Sequence, residues 1–191
     1  MNSLNDKIVI TNDSKKHKYN LSKINKILMN VESLYSTENI MSKVNRIFIC
    51  DDIPSLDNIL EYFKIDNFDI SDYENEIEYH ISDSSCKGLC FTLHGYIFIR
   101  MDVIIDSYFH WENNSLIYLD SSFSDYNIFG KNENLAYNGI FWNTLLHEIY
   151  HIDEYLNGID YDKSSCEKAT IFARNIFEIF LKNKHYEVYN I

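Results

Sequence analysis

The chain has 191 residues, a net charge of −12 and 46% hydrophobic residues, enough apolar material for one self-folding domain. The acidic balance argues against nucleic-acid phosphates or an anionic membrane face as partners, since both need a basic surface. Only five Gly and one Pro are present, no glycine-rich phosphate loop or dinucleotide fingerprint occurs, and no apolar run reaches the ~18 residues that could span a bilayer.

The opening segment, residues 1–20, is polar and mixed in charge and is expected to be partly disordered. It carries no apolar stretch of the kind that directs secretion. A cytoplasmic location follows as the expectation, with Cys50, Cys86, Cys90 and Cys166 as free thiols. Cys86 and Cys90 lack the spacing of a zinc knuckle, and no second pair accompanies them.

From residue 21 to 191 the pattern reads as a single domain. Leu21, Ile24, Ile27, Leu28, Val31 and Leu34 recur at helical spacing, and Arg46 to Cys50 reads as a short strand. Asp51-Asp52-Ile53-Pro54 is a helix entry, with Leu56, Ile59, Leu60 and Phe63 as the buried face of a second helix. Between Glu76 and Ser122 the texture becomes β. Ile77 to Ile81 alternates, Leu89–Leu93 and Tyr96–Met101 flank His94-Gly95 as a hairpin, and Ser115–Leu119 forms a further strand. Helical pattern then returns over about 134–157, ending at Asn157-Gly158, and over about 165–184. The predicted class is α+β: N-terminal helices, a small, mostly antiparallel sheet, and two long helices.

Chemistry concentrates in His147-Glu148-Ile149-Tyr150-His151. Residues four apart on a helix share one face, so the two imidazoles can bind a single Zn²⁺ at about 2.0–2.1 Å. Glu148 stands beside the first of them, where its carboxylate can take a proton from a water that the metal has acidified. A third ligand is needed. The extended pattern with a further Gly and His is absent, because Glu154 and Asn157 occupy those places. Glu167, at the start of the last helix, is the first candidate. It also fits a capping box, Ser164-Ser165-Cys166-Glu167, as a residue reaching back to Ser164. Asp160 and Asp162 are turn carboxylates that could serve instead.

These residues resemble the ImmA/IrrE-type metallopeptidases. The resemblance rests on Thr144-Leu145-Leu146-His147-Glu148-Ile149-Tyr150-His151 and on Glu167 with Ala169, Phe172 and Ala173, and it covers roughly residues 115–180. It implies a zincin-like fold in which a strand beside the active-site helix aligns an extended peptide. It also implies an intracellular zinc protease whose substrate is a protein, often a transcriptional repressor. On the family motif, His147, His151 and Glu167 would bind zinc and Glu148 would be the general base. Three features depart from the family: Tyr150 before the second histidine, Arg174-Asn175-Ile176-Phe177 after the motif, and an N-terminal half without similarity. Two other readings are a non-catalytic zincin-like module that binds a regulator, and a deformylase-like amidohydrolase. Deformylases draw a cysteine ligand from an upstream segment and need a Gly-rich motif that this chain lacks.

Overall fold

Asn20 starts the first helix by capping it. Its side-chain oxygen accepts the Lys23 amide at 3.1 Å, and its carbonyl accepts those of Lys23 and Ile24. The computed structural model describes residues 9–12, 18–31, 40–51, 61, 87–102, 109–112, 115–118, 133–162 and 164–182. They form a mixed α+β fold: β1 (Val9–Asn12), α1 (Leu21–Val31), a 3-10 turn (Ile40–Ser42), β2 (Arg46–Cys50), β3 (Gly88–Phe91), β4 (Tyr96–Arg100), β5 (Phe109–Glu112), β6 (Ser115–Tyr118), α2 (Glu133–Leu156) and α3 (Ser165–Lys182). The expected helix around Leu56 to Phe63 lies, Glu61 apart, outside the described residues. So does the alternating segment Ile77–Ile81.

Four strands form one sheet in the order β1-β2-β4-β3, and β5 and β6 pair antiparallel as a second, two-stranded sheet. In the larger sheet β1–β2 and β2–β4 are parallel and only β3–β4 is antiparallel. This corrects the expectation of a mostly antiparallel sheet. The physical reason lies in the strands themselves. The apolar runs Arg46–Cys50 and Tyr96–Arg100 are buried almost throughout instead of alternating, the pattern of parallel strands covered on both faces. The crossovers are also long enough: α1 lies between β1 and β2, and residues 51–95 separate β2 from β4. Within the first 20 residues, Val9–Asn12 supplies a strand, a pairing invisible in its own short polar context.

The sheet has two distinct faces. Ile47, Ile49, Ile97 and Ile99 join Ile24, Leu28, Leu145, Ile149 and Ile152 in the main core. The opposite face is aromatic: Phe48 stacks on Phe98 at 4.5 Å, Phe91 meets Phe98 edge-on, and the Arg46 guanidinium lies 5.8 Å from the Phe48 ring. The expected hairpin forms between β3 and β4. Its turn is closed by the His94 and Gly95 amides, both donating to the Phe91 carbonyl. Gly95 adopts φ +65°, and a Cβ there would stand 1.8 Å from the Lys43 carbonyl oxygen. Gly95→Ala is therefore expected to destabilise the fold by about 2–4 kcal/mol, strain and backbone displacement together. Equilibrium urea unfolding measures this, and an unchanged midpoint would contradict the close approach.

Helix α2 is buried on nearly every side. Apolar Ile140, Phe141, Trp142, Leu145, Leu146 and Ile149 share it with buried Asn143, Glu148, His151, Asp153 and Glu154. It packs on β3 and β4 and on α3. Such a helix shows little amphipathicity, because sheet and helix cover opposite faces. It ends in a Schellman motif: the Ile159 amide donates to the Glu154 carbonyl at 3.0 Å and the Gly158 amide to that of Tyr155.

Candidate metal centre

Helix α3 meets α2 through small residues. Ala169 and Ala173 are fully buried at the contact, and Ile176 and Phe177 continue the face one turn on. One turn back from Ala169–Thr170 on the same face stands Cys166, so the register that buries the alanines also turns Cys166 toward α2. His147, His151 and Cys166 converge there, with one ligand atom from each within 4.8 Å of the others. The two imidazole rings stand 4.9 Å apart between centroids and nearly perpendicular, at 79°.

Both histidines are held from behind. His151 Nδ1 lies 3.1 Å from Glu154 Oε2, a buried carboxylate one turn further along α2. Thr170 Oγ1 lies 3.3 Å from His147 Nδ1 and donates its own hydrogen to the Cys166 carbonyl at 2.8 Å. A hydroxyl whose hydrogen is already engaged can only accept, so His147 Nδ1 carries the hydrogen. Opposite the Glu154 carboxylate, His151 Nδ1 does the same. In both rings the lone pair is then left on Nε2, the arrangement by which outer-shell partners prepare histidines for a metal. Burial, together with the charges of His151 and Lys87, holds the His147 imidazole down at about 4, and burial lowers His151 against the opposing pull of Glu154. Neutral rings are the form that can ligate. Thr170→Val and Glu154→Gln should each lower metal affinity about 10–100-fold. Competition against a chromophoric chelator reads this, and unchanged affinity in both variants would sink the tautomer assignment.

Glu148 sits between sheet and helix, 7% exposed, and burial pushes its carboxyl up to about 8. Gly88 makes room for it: a Cβ on Gly88 would meet Glu148 Oε1 at 2.5 Å. Tyr161 reaches the cluster from the turn between α2 and α3. Its hydroxyl lies 2.8 Å from Cys166 Sγ and its ring 5.4 Å from that of His151. Nothing in the sequence aimed Tyr161 at this site. His185 and Tyr186 lie outside the described residues.

Glu167, the expected third ligand, and Cys166 are both exposed in the first turn of α3; the atom that lies within 4.8 Å of the histidines' ligand atoms is the Cys166 sulfur. Asp160 and Asp162 are exposed on the turn and lie outside the cluster. Asp162 instead braces the turn. Its Oδ1 accepts the Ser164 amide and hydroxyl, and these bonds hold its carboxyl below the usual range. Ser164 caps α3 through its carbonyl, which accepts the Lys168 amide at 3.0 Å. The Ser164 amide, which the expected capping box would give to the Glu167 side chain, donates to Asp162 instead. Tyr150 is accommodated half-buried, its ring 5.1 Å from that of Phe172 on α3.

The donor set fits a zinc-sized ion. Ligands of one tetrahedral zinc stand roughly 3.4–3.7 Å apart, so atoms already within 4.8 Å need close by little more than an ångström. Among the described residues no helix is long and apolar enough to cross a membrane. No protein-family model, curated protein or solved structure matches the chain.

Proposed function

We propose that this protein is a zinc-dependent endopeptidase related to the ImmA/IrrE type, with a zincin-like fold and a protein substrate inside the cell, a transcriptional repressor being the class the resemblance suggests. The observation that carries this reading is the convergence of His147, His151 and Cys166 beside the buried Glu148. His147 and His151 would hold the ion with a third ligand from the first turn of α3. When bound, zinc would acidify a water and polarise the scissile carbonyl.

The chain's own groups supply the rest. Glu148 takes a proton from the attacking water as its oxygen bonds to the carbonyl carbon. It returns the proton to the amide nitrogen as the C–N bond breaks. A carboxylate beside the ion can serve both halves of this transfer. Glu154 and Thr170 keep the imidazoles oriented. The proximity of β3 to Glu148 through Gly88 agrees with a strand that lines up an extended peptide.

Purified protein should contain one zinc per chain, lose it on His151→Ala, and cleave peptides from a mixed-sequence library in a chelator-sensitive way. Absence of zinc in the wild type would overturn the reading. Stoichiometric zinc without hydrolysis of any peptide would favour the non-catalytic module.

A further inference from the structure

We infer that the third metal ligand is the Cys166 thiolate and not a carboxylate, which makes this a His₂Cys centre with the Tyr161 hydroxyl donating to the ligating sulfur. The inference rests on the metal-centre reading above and identifies which side chain completes it.

Helix register decides between neighbours. Residues 166, 169, 170 and 173 share the face of α3 that meets α2: Ala169 and Ala173 are buried there, and Thr170 touches His147. Glu167 is turned about 100° away, on the side occupied by Ile171, which is 53% exposed. Cys166 needs only the small closure already described.

The local geometry also holds Cys166 in place, in the first turn of α3. The turn that presents it is tied at both ends, by Ser165 N to the Asp162 carbonyl and by Asp162 N to Ser165 Oγ, each near 3.0 Å. With the sulfur deprotonated, only Tyr161 can be the donor in the 2.8 Å contact between them. A soft sulfur with two imidazoles favours zinc or cobalt over magnesium or calcium.

Cobalt(II) loaded into the metal-free full-length chain tests this without reference to activity. The wild type should bind one cobalt and show an intense near-ultraviolet sulfur-to-cobalt band. Cys166→Ser should lose that band, and Glu167→Gln should retain both band and stoichiometry. In the wild type, bound cobalt should also slow alkylation of Cys166 by iodoacetamide at least tenfold, followed by peptide mass spectrometry. That second readout uses no variant and so does not depend on how Cys166→Ser folds. One cobalt bound without a sulfur band, with Cys166 alkylated equally fast with and without metal, overturns the thiolate ligand while leaving a metal centre. Failure of the wild type to bind cobalt or zinc at all overturns the centre itself, and the thiolate ligand with it.

Discussion

Glu148→Gln should give a metal-free protein that is more stable than the wild type at pH 8 and above, yet 10²–10⁴-fold slower in peptide hydrolysis when loaded with zinc. Both results come from one buried carboxyl. Burial raises its pKa from 4.5 to about 8 in the native state, while the unfolded chain keeps the ordinary value. Below pH 4.5 the group is protonated in both states and favours neither. Between 4.5 and 8 the unfolded chain releases its proton and the folded one retains it, so native stability falls with rising pH through that window and levels off above it. At about 1.4 kcal/mol per unit, the loss is on the order of 3–5 kcal/mol at its fullest. Glutamine has the same shape and no charge to bury, so the variant escapes the loss.

Chemical denaturation of the two metal-free proteins at pH 5, 6.5 and 8.5 measures this. The stability difference should widen in that order and in favour of the glutamine variant. An identical pH dependence would mean that Glu148 is not the buried acid. Zinc content should be unchanged in the variant, because the ligating atoms lie on other residues. The fall in kcat then isolates proton transfer from metal binding. Near-wild-type turnover with zinc bound would remove Glu148 from the mechanism.

Much of this site could be read in the chain, because its two histidines obey the simplest rule of helix geometry. Residues four apart share a face whatever the rest of the fold does, and the Asn157-Gly158 stop bounded α2 correctly. The third position, on the ligand set inferred above, was harder. Family likeness pointed to Glu167, yet Ala169, Phe172, Ala173, Ile176 and Phe177 already mark the inner face of α3 in the sequence. Continued one turn toward the N-terminus, that face reaches Ser165 and Cys166. A cysteine among four, in a chain expected to keep its thiols free, offered no prompt to make that extension. Tyr161 was out of reach for another reason: its contacts with His151 and Cys166 cross the turn between α2 and α3. Glu154, three residues after His151 on one helix, was within reach of the same rule that pairs the histidines. The parallel pairings of β2 were only half legible: the unbroken apolar runs of β2 and β4 have the pattern of strands covered on both faces, but direction also depends on where the intervening chain crosses.

The position most revealing of how α2 and the sheet cooperate is Gly88. A methyl group there would stand 2.5 Å from Glu148 Oε1 and 2.9 Å from both Cδ and Cγ, closer than such atoms can approach. The side chain of Glu148 must then move, since β3 is fixed by its ladder to β4. On the proposed mechanism, a shift near an ångström should spare the metal ligands but take the base out of line with the water. Misplacement on that scale costs about 10²-fold in rate. Gly88→Ala is therefore expected to lower kcat by about that factor with zinc stoichiometry unchanged. Its activity–pH profile should keep a titrating base, unlike that of Glu148→Gln. Shortening the base by one methylene withdraws the closest of these contacts, the one at Oε1. Glu148→Asp should therefore harm the Gly88→Ala protein much less than it harms the wild type. Independent, multiplicative losses in the double variant would show that the glycine serves the strand and not the base. Coupling between them would tie the small residue on β3 to the proton transfer on α2.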